Sequence, residues 1–328
     1  MSIKIGNVTL CGNVILAPMA GFSDVAFRRL CRDYGAALTT TEMISAKGLL
    51  YNSKKTIDML RLAPNETPSS VQLFGPDPDD FYNAAQREEL AHFDIIDINM
   101  GCPAKKVVSN GEGSALMRDF DRAEKIIKAA VAGANGRPVT VKFRAGFYDD
   151  DICAEEFASM AEEAGAAAMT VHGRTAEQGY SGFADWDIIC RVAQKVNVPV
   201  FGNGDVKKNN LKDRLLLTEG VAIGRGAIGN CDIFSLGKKD ASKKQMLLTH
   251  IRYMTEYFGS RFTAVNIRKH LPYYFAGNKD LKLFRARLNT LEDAEQMNKN
   301  RTKLRMSFDF YSNFLHAVSF DRGGVFAV

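Results

Sequence analysis

The sequence contains no C-x-x-C pair and no dense cysteine spacing; its six cysteines (Cys11, Cys31, Cys102, Cys153, Cys190 and Cys231) are scattered along the chain. That scatter argues against a zinc site and against a disulfide framework, so reduced thiols, no metal and a cytoplasmic protein are expected. Any run of about 18 apolar residues is also missing. The start "MSIKIGNVTLCGNVILAPM" lacks the basic segment and long apolar stretch of a secretory leader, so neither export nor a membrane span is predicted. Short internal repeats and low-complexity tracts are absent as well.

What is present is the composition of a globular chain with a sizeable core, 46% hydrophobic and 25% charged over 328 residues. That length predicts one large domain with a smaller partner; a monomer is expected, though nothing in the composition fixes the oligomeric state. Charge is unevenly placed. From residue 241 onward there are 15 Lys and Arg against 7 Asp and Glu, whereas the rest carries 28 against 31. A basic C-terminal region on a slightly acidic body suits a polyanion such as RNA, although a solvated helical tail would look the same.

Eight short β-branched runs recur in the first 225 residues: "VILAPM" (14–19), "ALTTTEM" (37–43), "SVQLF" (70–74), "DIIDINM" (94–100), "VTVKF" (139–143), "AAMTVH" (167–172), "VPVFGN" (198–203) and "VAIG" (221–224). Segments of helical period separate most of them, which predicts repeated βα units and a parallel sheet. Eight such units predict a closed (β/α)8 TIM barrel. Ser23, Asp77 with Pro78, and Asp119 are expected to start helices, and Gly35 and Gly165 to end them. Past residue 231 the strands stop, and "KKQMLLTHIRYMTEYFG", "RFTAVNIRKHLPYYFAG" and "AEQMNKNRTKLRMSFDFYSNFLHAV" read as amphipathic helices. The expected division is a barrel over residues 1–235 and a small all-helical domain over 236–328.

A barrel's active site lies at the C-terminal ends of its strands. The residues there are Pro18, Met19, Ala20 and Gly21; Glu42; Gln72; Asn99 and Cys102; Lys142 and Arg144; His172; Asn203, Gly204 and Asp205; Gly224 and Arg225. Singly each has a bland reading, a satisfied core histidine or a solvated lysine. Together they would form one rim. "GNGD" and "IGRGAIG" fall where barrels build phosphate sites from glycine-rich loops, with Arg225 adding charge. Gly224, Gly226 and Gly229 also satisfy G-x-G-x-x-G, but no strand follows to complete a dinucleotide fold. A lysine at a strand end, Lys142, suits the negative charge of a reduced flavin near N1 and O2, and Gln72 suits the ring edge. A thiol near its ordinary pKa is mostly protonated at neutral pH, so Cys102 in "DINMGCPAKK" is a candidate proton donor or nucleophile.

The motifs "LAPMAGFSDVAFRRLCRDYGA", "TEMISAKGL", "SVQLFG", "DINMGCPAKKV", "GSALMRD", "VKFRAGF", "VHGRTAEQGYSGFADWD", "VPVFGNGDV" and "AIGRGAIGN" resemble, in order, those of tRNA-dihydrouridine synthases of bacterial type, and "NIRKHLPYYFAG" resembles their helical domain. The resemblance implies an FMN-holding barrel, a helical tRNA-binding domain, and NADPH as reductant. It implies hydride transfer from reduced FMN to C6 of a tRNA uracil, with the thiol of Cys102 protonating C5. It further implies FMN contacts at Pro18, Met19, Ala20, Gln72, Lys142, His172, Asn203, Gly204, Asp205, Gly224 and Arg225. Substrate contacts are implied at Asn99, Lys106 and Arg144, and in the tail at Arg268, Lys269 and His270, where an exposed basic helix face is the competing reading. "LKDRLLLTEGVAIGRG" is about two residues shorter than usual in the family, which predicts a trimmed helix before the last strand. The alternative function is a small-molecule flavin barrel of the dihydroorotate dehydrogenase type, which leaves the basic tail and "NMGCP" without a purpose.

Overall fold

In the computed structural model residues 2–239 and 241–276 are described. A hairpin opens the chain, β1 (Ile3–Ile5) against β2 (Val8–Leu10). The main sheet then follows as β3 (Val14–Leu16), β4 (Thr39–Thr40), β5 (Ile44–Ser45), β6 (Ser69–Phe74), β7 (Ile95–Met100), β8 (Val139–Arg144), β9 (Ala168–His172), β10 (Val200–Asn203) and β11 (Gly220–Ile223). All neighbours are parallel, and the β11–β3 and β4–β6 pairings close the sheet on itself into a TIM barrel. The run at 37–43 is expected as one strand but is split. Thr40 pairs with Ser70 and Ile44 with Leu73, so three residues stand opposite two; Thr41 N–H still donates to the Ser70 carbonyl at 3.0 Å, and the bulge turns Glu42 and Met43 out of the ladder.

Strand alternation explains both the core and the site. Val14, Leu16, Val71, Leu73, Ile96, Ile98, Val139, Val141, Phe143, Val221 and Ile223 face outward into one large buried cluster under the helices. Their neighbours face inward. Near the strand starts these are apolar, Ile15, Ile95, Ala168, Phe201 and Ala222, and Ile3, Ile5 and Leu10 of the hairpin join them to close the floor. Near the strand ends the inward residues are Gln72, Asp97, Asn99, Thr140, Lys142, Arg144, His172 and Asn203, so polar groups gather only at one end.

The helix Val25–Asp33 starts at Asp24, whose side chain accepts from Phe27 N at 2.9 Å. Ser23, expected as the cap, instead closes the "APMAG" turn: its Oγ accepts from Met19 N at 2.9 Å. Asp77 and Asp119 cap Pro78–Ala85 and Phe120–Gly133 as expected. Gly35 and Gly165 end their helices at φ of 100° and 102°. The helix before β11 is reduced to Leu211–Arg214, as its short link predicts.

After the barrel, the helix Lys243–Asn266 begins on a Ser242/Gln245 capping box and is broken at Gly259, where φ is 77° and ψ is 166°. Its first part packs on Val25–Asp33. The Arg29 guanidinium lies 4.0 Å from the Tyr253 ring centroid and pairs with Glu256 at 2.8 Å, and Tyr253 Oη donates to Asp33 Oδ2 at 2.6 Å. Beyond the break come Ile267–Lys269 and Leu271–Tyr274. The expected helix within 294–318, and most of the predicted 236–328 domain, lie outside the described residues. Among the described residues no helix is long and apolar enough to cross a membrane.

Candidate active site

The barrel mouth opens into a cavity of about 1320 Å³. Pro18, Met19, Ala20, Gln72, Asn99, Cys102, Lys142, Arg144, His172, Asn203, Gly204, Asp205, Gly224, Arg225 and Lys269 all line it. Residues from 18 to 225 thus share one surface because each stands at or just past a strand end, and Lys269 joins them from the tail helix Ile267–Lys269.

Lys142 rises from the centre of β8. Its Nζ donates to Asn203 Oδ1 at 3.0 Å, and Asn203 Nδ2 donates to the Ala222 carbonyl at 2.7 Å. Among the described residues no carboxylate pairs with this ammonium. Burial, aided by the charge of Arg144 and opposed by Asp97, pushes it down to about 7. Burial likewise holds His172 far below its ordinary value, with Lys142, Arg144, Arg174 and Arg225 adding to the effect, so the imidazole is neutral. Below the cavity floor Asp97 accepts from Thr140 Oγ1 at 2.6 Å and Gln72 Nε2 at 2.7 Å, and burial raises it to about 6.

Two glycine-rich turns close the side of the cavity past β10 and β11. Gly204 has φ of 125°, and a Cβ there would stand 2.4 Å from Ala184 Cβ. At Gly226 a Cβ would meet the Val206 carbonyl at 2.2 Å, so there the two loops touch through backbone. Asp205 is held by Ala184 N at 2.9 Å and by Arg174 at 2.8 Å. Arg174 was not foreseen; it is buried and also donates to the carbonyls of Ser181 and Gly182. The "VHGRT" sequence gave a hint, an arginine two residues past a site histidine, and so on the same inward alternation. Tyr180, also unforeseen, lies 4.5 Å from the Arg225 guanidinium.

Cys102 sits at the foot of a short loop. Its N–H donates to Asn99 Oδ1 at 3.0 Å, and its carbonyl accepts from Ser114 N and Oγ at 3.1 and 3.0 Å. Arg144 donates to the Gly101 carbonyl at 2.7 Å and to those of Thr175 and Gly179 at 2.8 and 2.9 Å, tying this loop to the one after β9.

Three expected substrate contacts stand elsewhere. Lys106 is exposed on the turn of helix Lys105–Val108 and does not line the cavity. Arg268 folds back to the Ala264 carbonyl at 3.1 Å. His270 is fully buried, edge-on to Phe22 at 5.0 Å and His250 at 4.6 Å. It faces the core because Ile267, His270, Leu271 and Tyr274 form one apolar stripe. Of Arg268, Lys269 and His270 only Lys269 reaches the cavity, and the basic side chains Lys207 and Lys208, absent from the expected set, join it there.

Residues 15–309 match the family described as dihydrouridine synthase (Dus). A probable tRNA-dihydrouridine synthase of Rickettsia bellii is 39% identical over 308 residues, covering 89% of this chain and 94% of that one. A tRNA-dihydrouridine synthase B of Pseudomonas syringae pv. tomato is 37% identical over 309 residues, covering 90% and 91%. Among solved structures, morphinone reductase in complex with tetrahydroNAD overlays with a TM-score of 0.52 at 14% identity, covering 74% of this chain and 93% of that one. A variant of NCR from Zymomonas mobilis overlays at 0.53 with 16% identity, covering 74% and 92%. At such identities these two share the fold alone.

Proposed function

Since this chain belongs to the dihydrouridine synthase family, we propose that it reduces the C5–C6 double bond of uridines in tRNA, with FMN held at the barrel mouth and NADPH as reductant. The observation that carries the reading is the enclosed ammonium of Lys142, which hydrogen-bonds an amide oxygen and, among the described residues, makes no ion pair, in a cavity of about 1320 Å³. A buried cation without an ion-pair partner fits a ligand that gains negative charge. The residues present therefore fit FMN: Pro18, Met19 and Ala20 along one side, Gln72, Lys142 and His172 at the ring, and Asn203, Gly204, Asp205, Gly224 and Arg225 about the phosphate. When bound and reduced, FMN supplies hydride to C6 of the uracil.

The protein's own part is to orient the base, exclude water and move one proton. Asn99 and Arg144 stand beside Cys102 and present N–H donors to the uracil oxygens. The thiol of Cys102 donates its proton to C5, on a backbone held by Asn99 and Ser114. A uracil inside folded tRNA must leave its stack to enter, and basic groups hold the backbone meanwhile. Lys269 and Lys207 at the mouth suit that role, whereas Lys208 is paired with Asp232; Lys106 serves from the outer turn and Arg268 from the helix face. His270 acts by packing the tail against the barrel. Residues 1–235 act as the FMN barrel and 236–328 as the tRNA-binding part.

Replacing Cys102 by Ala tests the proton step. The flavin is expected still to be reduced by NADPH, while dihydrouridine formation falls by about 10²- to 10⁴-fold, the usual size of general-acid catalysis. Unchanged product formation would reject the assignment.

A further inference from the structure

Three side chains beneath the Cys102 loop form a hydrogen-bond chain that runs one way. Asn99 Nδ2 donates to Gln72 Oε1 at 2.8 Å, and Gln72 Nε2 donates to Asp97 Oδ2 at 2.7 Å. Thr140 Oγ1 donates to the other carboxylate oxygen at 2.6 Å. At the far end Asn99 Oδ1 accepts from Cys102 N at 3.0 Å and Gly101 N at 3.2 Å. Barrel register builds the chain, since Asp97 is the partner of Gln72 on one side and of Thr140 on the other. Gln72 and Asp97 are 1% and 5% exposed, so bulk water does not compete for these contacts.

An amide turned end for end keeps its shape, so its neighbours decide which way it faces. An ionised carboxylate only accepts. Asp97 therefore admits Gln72 with the NH₂ group inward, which turns Gln72 Oε1 toward Asn99. Asn99 must then offer its own NH₂, and its oxygen is left for the backbone of Gly101 and Cys102. Reversal of Gln72 would set its oxygen against the Asp97 carboxylate and its NH₂ against that of Asn99, and reversal of Asn99 would set its NH₂ against two half-buried backbone N–H groups.

We infer that Asp97 is a positioning residue for Cys102: a carboxylate two side chains removed that fixes the direction of the Gln72–Asn99 chain and so anchors the Gly101–Cys102 backbone. The same direction leaves each amide with one N–H not used by the protein. This wall of the cavity therefore favours carbonyl oxygens, such as those of a pyrimidine or the edge of a flavin ring, over N–H groups. The inference rests on the reading above for what Cys102 does, while its test needs no turnover.

The test is the rate at which iodoacetamide alkylates Cys102 in protein saturated with FMN, flavin occupancy being matched between variants by absorbance because Gln72 lies in the cavity wall, followed by peptide mass spectrometry. Asp97→Asn brings a donor as well as an acceptor and makes the reversed chain accessible. Alkylation is expected to rise roughly tenfold, equivalent to about 1.4 kcal/mol of lost anchoring. Combining Asp97→Asn with Gln72→Glu exchanges amide and carboxylate. The new amide donates to the new carboxylate, which accepts from Asn99, so the rate should return to within about twofold of wild type. Thr140→Val removes one bond but leaves the acceptor-only carboxylate. It should lower the melting temperature without speeding alkylation.

A wild-type rate in Asp97→Asn, an equal acceleration in Thr140→Val, or no recovery in the exchanged pair would each reduce Asp97 to a packing group. If Asp97→Asn alone does not fold, the exchanged pair decides: a native rate supports the inference and a raised one overturns it. Failure of the wider reading has a different signature, product formation persisting in Cys102→Ala while the alkylation pattern stands.

Discussion

Binding of FMN at pH 8 should draw nearly one proton from solution, and that proton should go to Lys142. In the free protein burial holds this ammonium at about 7 against an ordinary 10.5. It is then about one-tenth protonated at pH 8 and about nine-tenths at pH 6. A ligand bearing negative charge or a carbonyl edge beside it favours the ammonium and returns the group toward its ordinary value. Uptake is therefore about 0.9 proton per FMN at pH 8 and about 0.1 at pH 6. The phosphate of FMN, with a second ionisation near 6, contributes little at the higher pH. Calorimetric titration in buffers of different ionisation enthalpy gives the proton count as a slope, with Lys142→Met as the control. Above pH 7 affinity should weaken toward tenfold per pH unit in the wild type and not in the variant. The stability effect has the opposite sense. A lysine depressed by folding binds its proton more tightly in the unfolded chain between about 7 and 10.5, so rising pH through that window stabilises the FMN-free protein. Equal proton counts for wild type and Lys142→Met at pH 8 would refute the placement of this residue against the ligand.

Other outcomes follow from the same geometry. Lys269→Ala should weaken tRNA binding at all sites alike and reduce the slope of log affinity against log salt by about one. Arg174→Met leaves the Asp205 carboxylate on Ala184 N–H alone; a loss of about 3 kcal/mol in urea unfolding is expected, with weaker FMN binding. Gly113 has φ of 60°, and a Cβ there would stand 2.8 Å from the Cys102 carbonyl. Gly113→Ala should therefore cost about 1–2 kcal/mol in thermal unfolding and slow dihydrouridine formation more than flavin reduction.

The alternation of strands is readable because each run is short, β-branched and bounded by cappers or glycine, and of the residues it places at strand ends all but Gly21 and Glu42 line the cavity. What escaped was set by contacts between distant loops. The pairing of Arg174 with Asp205 joins two loops that no local pattern relates. The split of the second strand depends on β6 offering two residues where the chain brings three. Ser23 and Asp24 are both good cappers, and only the hold of Ser23 on Met19 decides between them. His270 belongs by sequence to a basic triplet but by helical position to the stripe Ile267, His270, Leu271, Tyr274, and the stripe decides that it is buried.

Gly259 has open space where a side chain would be, so the glycine is there for its backbone angle rather than for room. That one dihedral turns a rod lying along the outside of the barrel into an elbow whose forearm delivers Lys269 to the mouth. The position of Lys269 at the mouth therefore depends on a backbone angle that only glycine adopts readily, set ten residues earlier in the chain.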